Sequence, residues 1–117
     1  MCSSDLSRPP DQPTFIRSAR GDDLRVGSAE RDITPSGSVY LAGFGMARSS
    51  TGVDTRLKVR AMVLSLGGME VVLMGIDNLG LMRGDVDWIK TAIPGIPNGC
   101  VFLAASHTHA APDLVGI

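Results

Sequence analysis

The stretch RLKVRAMVLSLGGMEVVLMGID, residues 56–77, decides the fold. It holds two apolar runs rich in β-branched residues, which are typical of strands, and Gly67 and Gly68 lie between them. Glycine adopts the positive φ angles of a two-residue hairpin turn without steric cost. The stretch therefore predicts a β-hairpin whose strands are residues 56–66 and 71–76.

A helix and a further strand are predicted after the hairpin. Four apolar residues recur at spacings of four, three and four, the pattern of one helical face: Met82, Val86, Ile89 and Ile93. PGIPNG (94–99) ends this helix, and CVFLAAS (100–106) is a continuous apolar run typical of a strand buried on both faces. We expect the helix to cover the sheet and a right-handed crossover to set residues 100–105 parallel to 71–76. The predicted fold is α/β, a mixed sheet in which a β-hairpin is followed by a βαβ unit.

The start of the chain has a different character. Residues 1–22 are rich in Ser, Pro, Asp and Arg and are predicted to be a disordered tail or tether, because they cannot bury enough apolar surface to offset the entropy of ordering. Such a tether could follow a lipid-modified Cys2, although no apolar segment precedes it in the sequence. Residues 23–117 are expected to be the folded part, with a first strand from Leu24 to about Thr34.

Composition restricts the function. The chain has 117 residues, 44% of them apolar, and a net charge of -1 from 11 basic and 12 acidic side chains. This balance provides no basic surface for nucleic acid, so no nucleic-acid partner is expected. No apolar run approaches the roughly 20 residues that cross a bilayer. The glycine-rich segment VYLAGFG (39–45) is expected to be a short strand or a place where two backbones approach closely.

The candidate site lies after the last predicted strand, which leads directly into His107 and His109. Residues i and i+2 of extended backbone project to the same side, so both imidazoles can address one metal ion. Asp77 leaves the neighbouring parallel strand at the same edge, where α/β sheets usually bind ligands, and is a candidate catalytic residue. Asp77 or Asp113 could accept the ring N–H that fixes a histidine tautomer. Simpler interpretations stay open, namely a metal-free histidine pair on a loop and an Asp77 that only caps a turn.

Five segments resemble, in chain order, the amino-terminal landmarks of the neutral/alkaline, non-lysosomal ceramidase family: VGSAERDITP (26–35), LAGFG (41–45), RLKVRAMVL (56–64), VVLMGIDNLG (71–80) and SHTHAAPD (106–113). The resemblance covers about residues 25–113. Its most specific part is the strand that leads into His-Thr-His with a proline three residues on. The family consists of zinc-dependent amidohydrolases that cleave the N-acyl bond of ceramide, at membranes or outside the cytoplasm.

The resemblance implies a zinc cofactor, with His107 as a ligand and His109 beside the water or the scissile amide, so that His109 is both a catalytic residue and a candidate ligand. It also implies a ceramide-like lipid amide as substrate, peripheral contact with a membrane and an extracytoplasmic location. Ala110 and the pair Pro112-Asp113 depart from the family pattern, which leaves a related amide or ester open. The family's other ligands, a His, a Glu and a Tyr, lie downstream of the shared motif. Residues 23–117 are therefore expected to be the amino-terminal portion of a catalytic domain, inactive alone.

Two alternatives compete with this interpretation. Barrel-type metal amidohydrolases also place His-x-His after a strand, but there the motif opens a long series of βα repeats, whereas a hairpin precedes it here. The other alternative is a small binding or assembly domain whose histidines hold no metal.

Overall fold

A computed structural model describes residues 14–19, 24–44 and 48–116, the first of these segments by its backbone alone. The secondary-structure elements, in chain order, are β1 (Thr14–Ala19), β2 (Leu24–Asp32), β3 (Lys58–Leu66), β4 (Met69–Ile76), α1 (Arg83–Thr91), a 3-10 turn (Asn98–Cys100) and β5 (Val101–Ala105). The five strands form one sheet in chain order. The pairs β1–β2, β2–β3 and β3–β4 are antiparallel, and β5 is parallel to β4. The predicted mixed α/β sheet, a hairpin followed by a βαβ unit, is confirmed.

The hairpin has the predicted two-residue turn. Leu66 pairs with Met69, and the intervening Gly67 and Gly68 have φ angles of 57° and 82°. A side chain at either position would be strained in this left-handed conformation. Because the turn takes only two residues, β4 begins two residues earlier than its apolar run indicated. The register of the whole β3–β4 pair follows from this turn.

Strand β5 is covered on one face only, which corrects the expectation of a strand buried on both faces. Val101 is fully buried, whereas the next residue, Phe102, is 56% exposed. The register pairs Met62 with Leu73 and Leu73 with Phe102, so these three side chains share one face of the sheet. Met62 and Leu73 are each 42% exposed. An apolar run in an edge strand thus looks the same in sequence as one in a strand covered on both sides.

Helix α1 forms where it was predicted but is shorter than its apolar pattern. The Asp85 carboxylate accepts a hydrogen bond from the backbone N–H of Met82 at 3.2 Å, which satisfies a free donor at the start of the helix. The helix ends at Thr91, so Ile93 lies beyond it. No residue of α1 is buried, and it packs mainly against the 3-10 turn. The expectation that this helix covers the sheet is therefore wrong, since nine residues with a narrow apolar stripe cannot cover several strands.

Part of the predicted tail is an edge strand. Backbone pairing joins β1 to β2 in antiparallel register, from Thr14 opposite Ser28 to Ala19 opposite Leu24. Main-chain hydrogen bonds to an open sheet edge require no apolar periodicity, so the sequence pattern did not reveal this strand. The rest of the predicted tail, including Cys2, lies outside the described residues.

Five apolar side chains of the described segments are buried: Ala42, Val72, Leu79, Val101 and Ala111. Two belong to the adjacent strands β4 and β5 and three to the loops that meet beyond them. Val72 and Val101 pair with each other at the start of β5, whereas Ala42, Leu79 and Ala111 lie in the segments that contact the loop that carries the histidines.

Candidate active site

The histidine loop continues the parallel pairing of β4 and β5 beyond the sheet. The Ser106 N–H donates to the Ile76 carbonyl at 3.0 Å, and the Thr108 N–H donates to the Asn78 carbonyl at 3.2 Å. Residues 106–108 therefore run beside residues 76–78. As the crossover predicted, the two chain segments meet at one edge of the sheet.

A second segment holds the other side of the loop. The Ala42 N–H donates to the Ala111 carbonyl at 3.1 Å, and the Asp113 N–H donates to the Tyr40 carbonyl at 2.9 Å. Ala42 and Ala111 are both fully buried, and their small side chains let the two backbones approach. Of the two expectations for residues 39–45, the close backbone approach is the one that applies here. The histidine loop is thus clamped between residues 40–43 and the end of β4.

His107 has a defined tautomer. Its Nδ1 lies 2.8 Å from the carbonyl oxygen of Leu79, and because a carbonyl can only accept, Nδ1 carries the proton. In the neutral ring the lone pair is then on Nε2, the state in which an imidazole binds a metal ion. Asp77 and Asp113 were the acceptors predicted for this role, and a backbone carbonyl takes it for His107 instead. Sequence reasoning missed Leu79 because a main-chain acceptor has no residue-type signature.

The backbone of His107 is not extended, which corrects the geometry assumed for the pair. Its φ angle is 62°, in the left-handed region that histidine visits more often than most residues. The rings nevertheless come together, with centroids 5.3 Å apart and planes at 87°. Both residues are exposed, so solvent and ligands can reach the rings.

His109 also contacts the segment after Ala42. Its ring meets that of Phe44 edge to face at a centroid distance of 5.7 Å. The Arg48 guanidinium lies 4.6 Å from the centre of the Phe44 ring. Offset and edge-to-face contacts of this kind favour one ring orientation over others. His109 is therefore oriented by packing, whereas His107 is oriented by a hydrogen bond.

Asp77 lies at the predicted edge but is engaged with β3. Its Oδ2 accepts a hydrogen bond from the backbone N–H of Lys58 at 2.9 Å and lies 3.4 Å from Nη1 of Arg60. The Lys58 N–H is the main reason why the pKa of Asp77 lies below its usual value, and the Ser106 hydroxyl and the Arg60 charge add to the effect. The carboxylate is thus ionised and joins β3 to the histidine loop through Ser106.

Asp113 has a local role. Its Oδ1 accepts hydrogen bonds from the backbone N–H groups of Val115 at 3.0 Å and Gly116 at 2.7 Å, so it stabilises a turn. In the described part of the chain, no three His, Cys, Asp or Glu side chains form a group that could hold a metal ion. The two histidines are therefore a pair of candidate ligands that neither aspartate completes.

Asn78 is a further polar residue at this edge that the sequence did not single out. It is only 3% exposed, and its Nδ2 donates to the Gly80 carbonyl at 2.9 Å. This bond supports the turn after β4, while the Asn78 main-chain carbonyl receives the Thr108 N–H. A buried asparagine after a strand is a turn signal, but its link to the histidine loop requires the fold.

No family model, curated protein or solved structure matches this chain. The ceramidase resemblance therefore rests on the sequence motifs alone. The described sheet is open and mainly antiparallel, which does not favour the repeated βα units of the barrel alternative. Among the described segments, no helix has the length and apolar character needed to cross a membrane.

Proposed function

We propose that this chain is the amino-terminal part of the catalytic domain of a zinc-dependent amide hydrolase. The proposed reaction resembles that of the neutral ceramidases, the cleavage of ceramide or a related lipid amide into a fatty acid and a sphingoid base. The observation that carries the proposal is the contact between His107 and the Leu79 carbonyl. In the neutral imidazole it leaves the lone pair on Nε2, on an exposed residue at the sheet edge where α/β proteins usually bind ligands.

The donor chemistry of this edge fits zinc in part. Imidazole nitrogen is a preferred zinc ligand, and a main-chain carbonyl that accepts the other ring N–H is a common supporting contact. A catalytic zinc ion takes about three protein ligands. His107 supplies one, and His109 is the second candidate. Under the proposal the further ligands are the His, Glu and Tyr that the family resemblance implies downstream of the motif.

A bound zinc ion would polarise the amide carbonyl and make a water molecule acidic enough to attack at neutral pH. The task of His109 in the proposed reaction is to donate a hydrogen bond to the carbonyl oxygen as negative charge develops on it. Removal of one such donor from a hydrolase costs about 100- to 1000-fold in turnover. Phe44 holds the His109 ring edge to face beside His107, so the donor needs little reorientation.

Asp77 is assigned a positioning role in this proposal. Its carboxylate is already bound to the Lys58 N–H, and its lowered pKa keeps it ionised at neutral pH, which makes it a poor proton donor. Through the Lys58 backbone and the Ser106 hydroxyl it connects β3 to the start of the histidine loop. The proposal also includes what the family resemblance implies about location, namely outside the cytoplasm and in peripheral contact with a lipid surface.

The test uses the complete protein encoded by the reading frame that contains this chain. Zinc content is measured by mass spectrometry, and fatty-acid release is measured with a short-chain N-acyl sphingosine. We expect the His107→Ala variant to lose zinc and turnover together, and the His109→Ala variant to retain most of its zinc but lose turnover.

Thr108→Val is the matched control, because it alters the residue between the histidines and removes only an exposed hydrogen bond to the Ala110 N–H. It should keep both zinc and activity. Equal loss of zinc in the two histidine variants would show that both rings are ligands. A wild-type protein that neither holds zinc nor releases fatty acid would overturn the proposed function.

A further inference from the structure

Gly43 lies directly against the ring of His109. A Cβ atom built on Gly43 would be 2.4 Å from Nδ1 and 2.5 Å from Cε1 of that ring, far inside van der Waals contact. The φ angle of Gly43 is 78°, which L-amino acids with side chains rarely adopt. Two independent features thus favour glycine here, the backbone conformation and the space taken by the imidazole.

The position of Gly43 is held by the surrounding backbone. Its neighbour Ala42 is fully buried and donates its N–H to the Ala111 carbonyl, two residues beyond His109. Gly43 therefore cannot withdraw from the ring without breaking this contact between the two segments. If a side chain were added at Gly43, the exposed His109 ring would move before the buried backbone did.

We propose that Gly43 is a positioning residue for His109, and that it acts as a flat surface on which the imidazole rests. Phe44 closes the adjacent side of the ring by its edge-to-face contact. Together the two residues hold the His109 ring perpendicular to that of His107, with the ring centroids 5.3 Å apart. The catalytic consequence rests on the proposed function, whereas the placement of the ring does not.

The experiment compares Gly43→Ala with Gly95→Ala. Gly95 has a nearly equal φ angle of 76°, but a Cβ atom there meets nothing within 4 Å. Both substitutions therefore strain the backbone alike, and only one of them collides with His109. In urea denaturation, Gly43→Ala is expected to lower the unfolding midpoint roughly twice as far as Gly95→Ala. The collision disappears in a His109→Ala background, where the two substitutions should shift the midpoint equally.

Ring placement is read separately by NMR without metal. In Gly43→Ala the nuclear Overhauser contact between the rings of His109 and Phe44 should be lost, while His107 should keep its protonated Nδ1 and its contact with Leu79. Gly95→Ala should retain both. Unchanged His109 signals in Gly43→Ala, or equal midpoint shifts for the two glycines in the wild-type background, would overturn the proposal.

Two further outcomes also test whether Gly43 positions His109. If Gly43→Ala fails to fold, the double variant Gly43→Ala/His109→Ala should fold as well as Gly95→Ala/His109→Ala, and its failure to do so would contradict a collision with the ring. In the complete protein, Gly43→Ala should keep zinc on His107 and lose turnover. Loss of the ring contact in a protein without zinc or activity would leave the positioning role intact and refute only the proposed function.

Discussion

Replacement of Asp77 by alanine should destabilise the protein by about 1.5 kcal/mol at neutral pH. The main loss is the hydrogen bond from the Lys58 N–H to the Asp77 carboxylate, 2.9 Å long. Bonds of this kind to a charged group contribute about 1.5–3 kcal/mol, and a side chain that is still 23% exposed belongs at the lower end. The guanidinium of Arg60, 3.4 Å away on a side chain that is 55% exposed, adds less than about 0.5 kcal/mol.

The assay is urea denaturation followed by circular dichroism. With a denaturant slope of about 1.5 kcal/mol per molar urea, the midpoint of Asp77→Ala should fall by about 1 M. Asp77→Asn keeps an oxygen acceptor but removes the charge, so its midpoint should fall about half as far. Asp87→Asn is the control, because it removes an exposed carboxylate paired with Arg83 on α1 and should change stability by less than about 0.5 kcal/mol.

The effect of Asp77 should depend on pH. Because the folded state lowers the pKa of this carboxyl, its stabilisation is fully present above the unfolded-state pKa of about 3.8 and is lost as the pH falls through the lower folded-state pKa. The difference in stability between wild type and Asp77→Asn should therefore shrink below about pH 4. A midpoint for Asp77→Ala no lower than that of Asp87→Asn would refute this reasoning. Loss of turnover in Asp77→Asn at unchanged stability would instead assign it a direct part in catalysis.

Three further results are expected. Val101→Ala leaves a cavity in the buried contact between β4 and β5 and should lower the free energy of unfolding by about 2 kcal/mol in a thermal or urea experiment. Its control, Val53→Ala, removes part of a side chain that is 51% exposed and should lower it by less than about 0.5 kcal/mol. Gly68→Ala places a residue with a side chain at a φ angle of 82° and should lower the free energy of unfolding by about 1 kcal/mol. Its control, Gly37→Ala, lies in open space and has no positive φ, so it should leave the stability unchanged. In equilibrium dialysis the 117-residue chain alone should bind zinc weakly and lose that binding with His107→Ala. The reason is that two histidines are fewer than the three protein ligands of a typical catalytic zinc site. Stoichiometric zinc together with turnover would show that the ligand set of this chain is complete.

Much of the fold could be predicted because its signals are local. Gly67 and Gly68 between two β-branched runs specify a hairpin through local signals, and the crossover through α1 then returns the chain so that β5 lies parallel to β4. The same reasoning predicted that Asp77 and the two histidines lie at one edge of the sheet. The exposure of Phe102 and the weak packing of α1 were not predictable, because an apolar pattern does not show how much of it other elements cover.

The sequence by itself determined the hairpin of β3 and β4, the parallel strand that follows it, and the presence of a histidine pair after that strand, since backbone preferences and side-chain periodicity act over a few residues. Only the tertiary structure decided which groups orient that pair. The Leu79 carbonyl fixes the tautomer of His107, and Gly43 makes room for the ring of His109. Every residue has a main-chain carbonyl, so the sequence does not show that the carbonyl of Leu79 is the one that binds His107. The sequence also does not show why residue 43 must be glycine, because the ring that packs against it belongs to a distant segment.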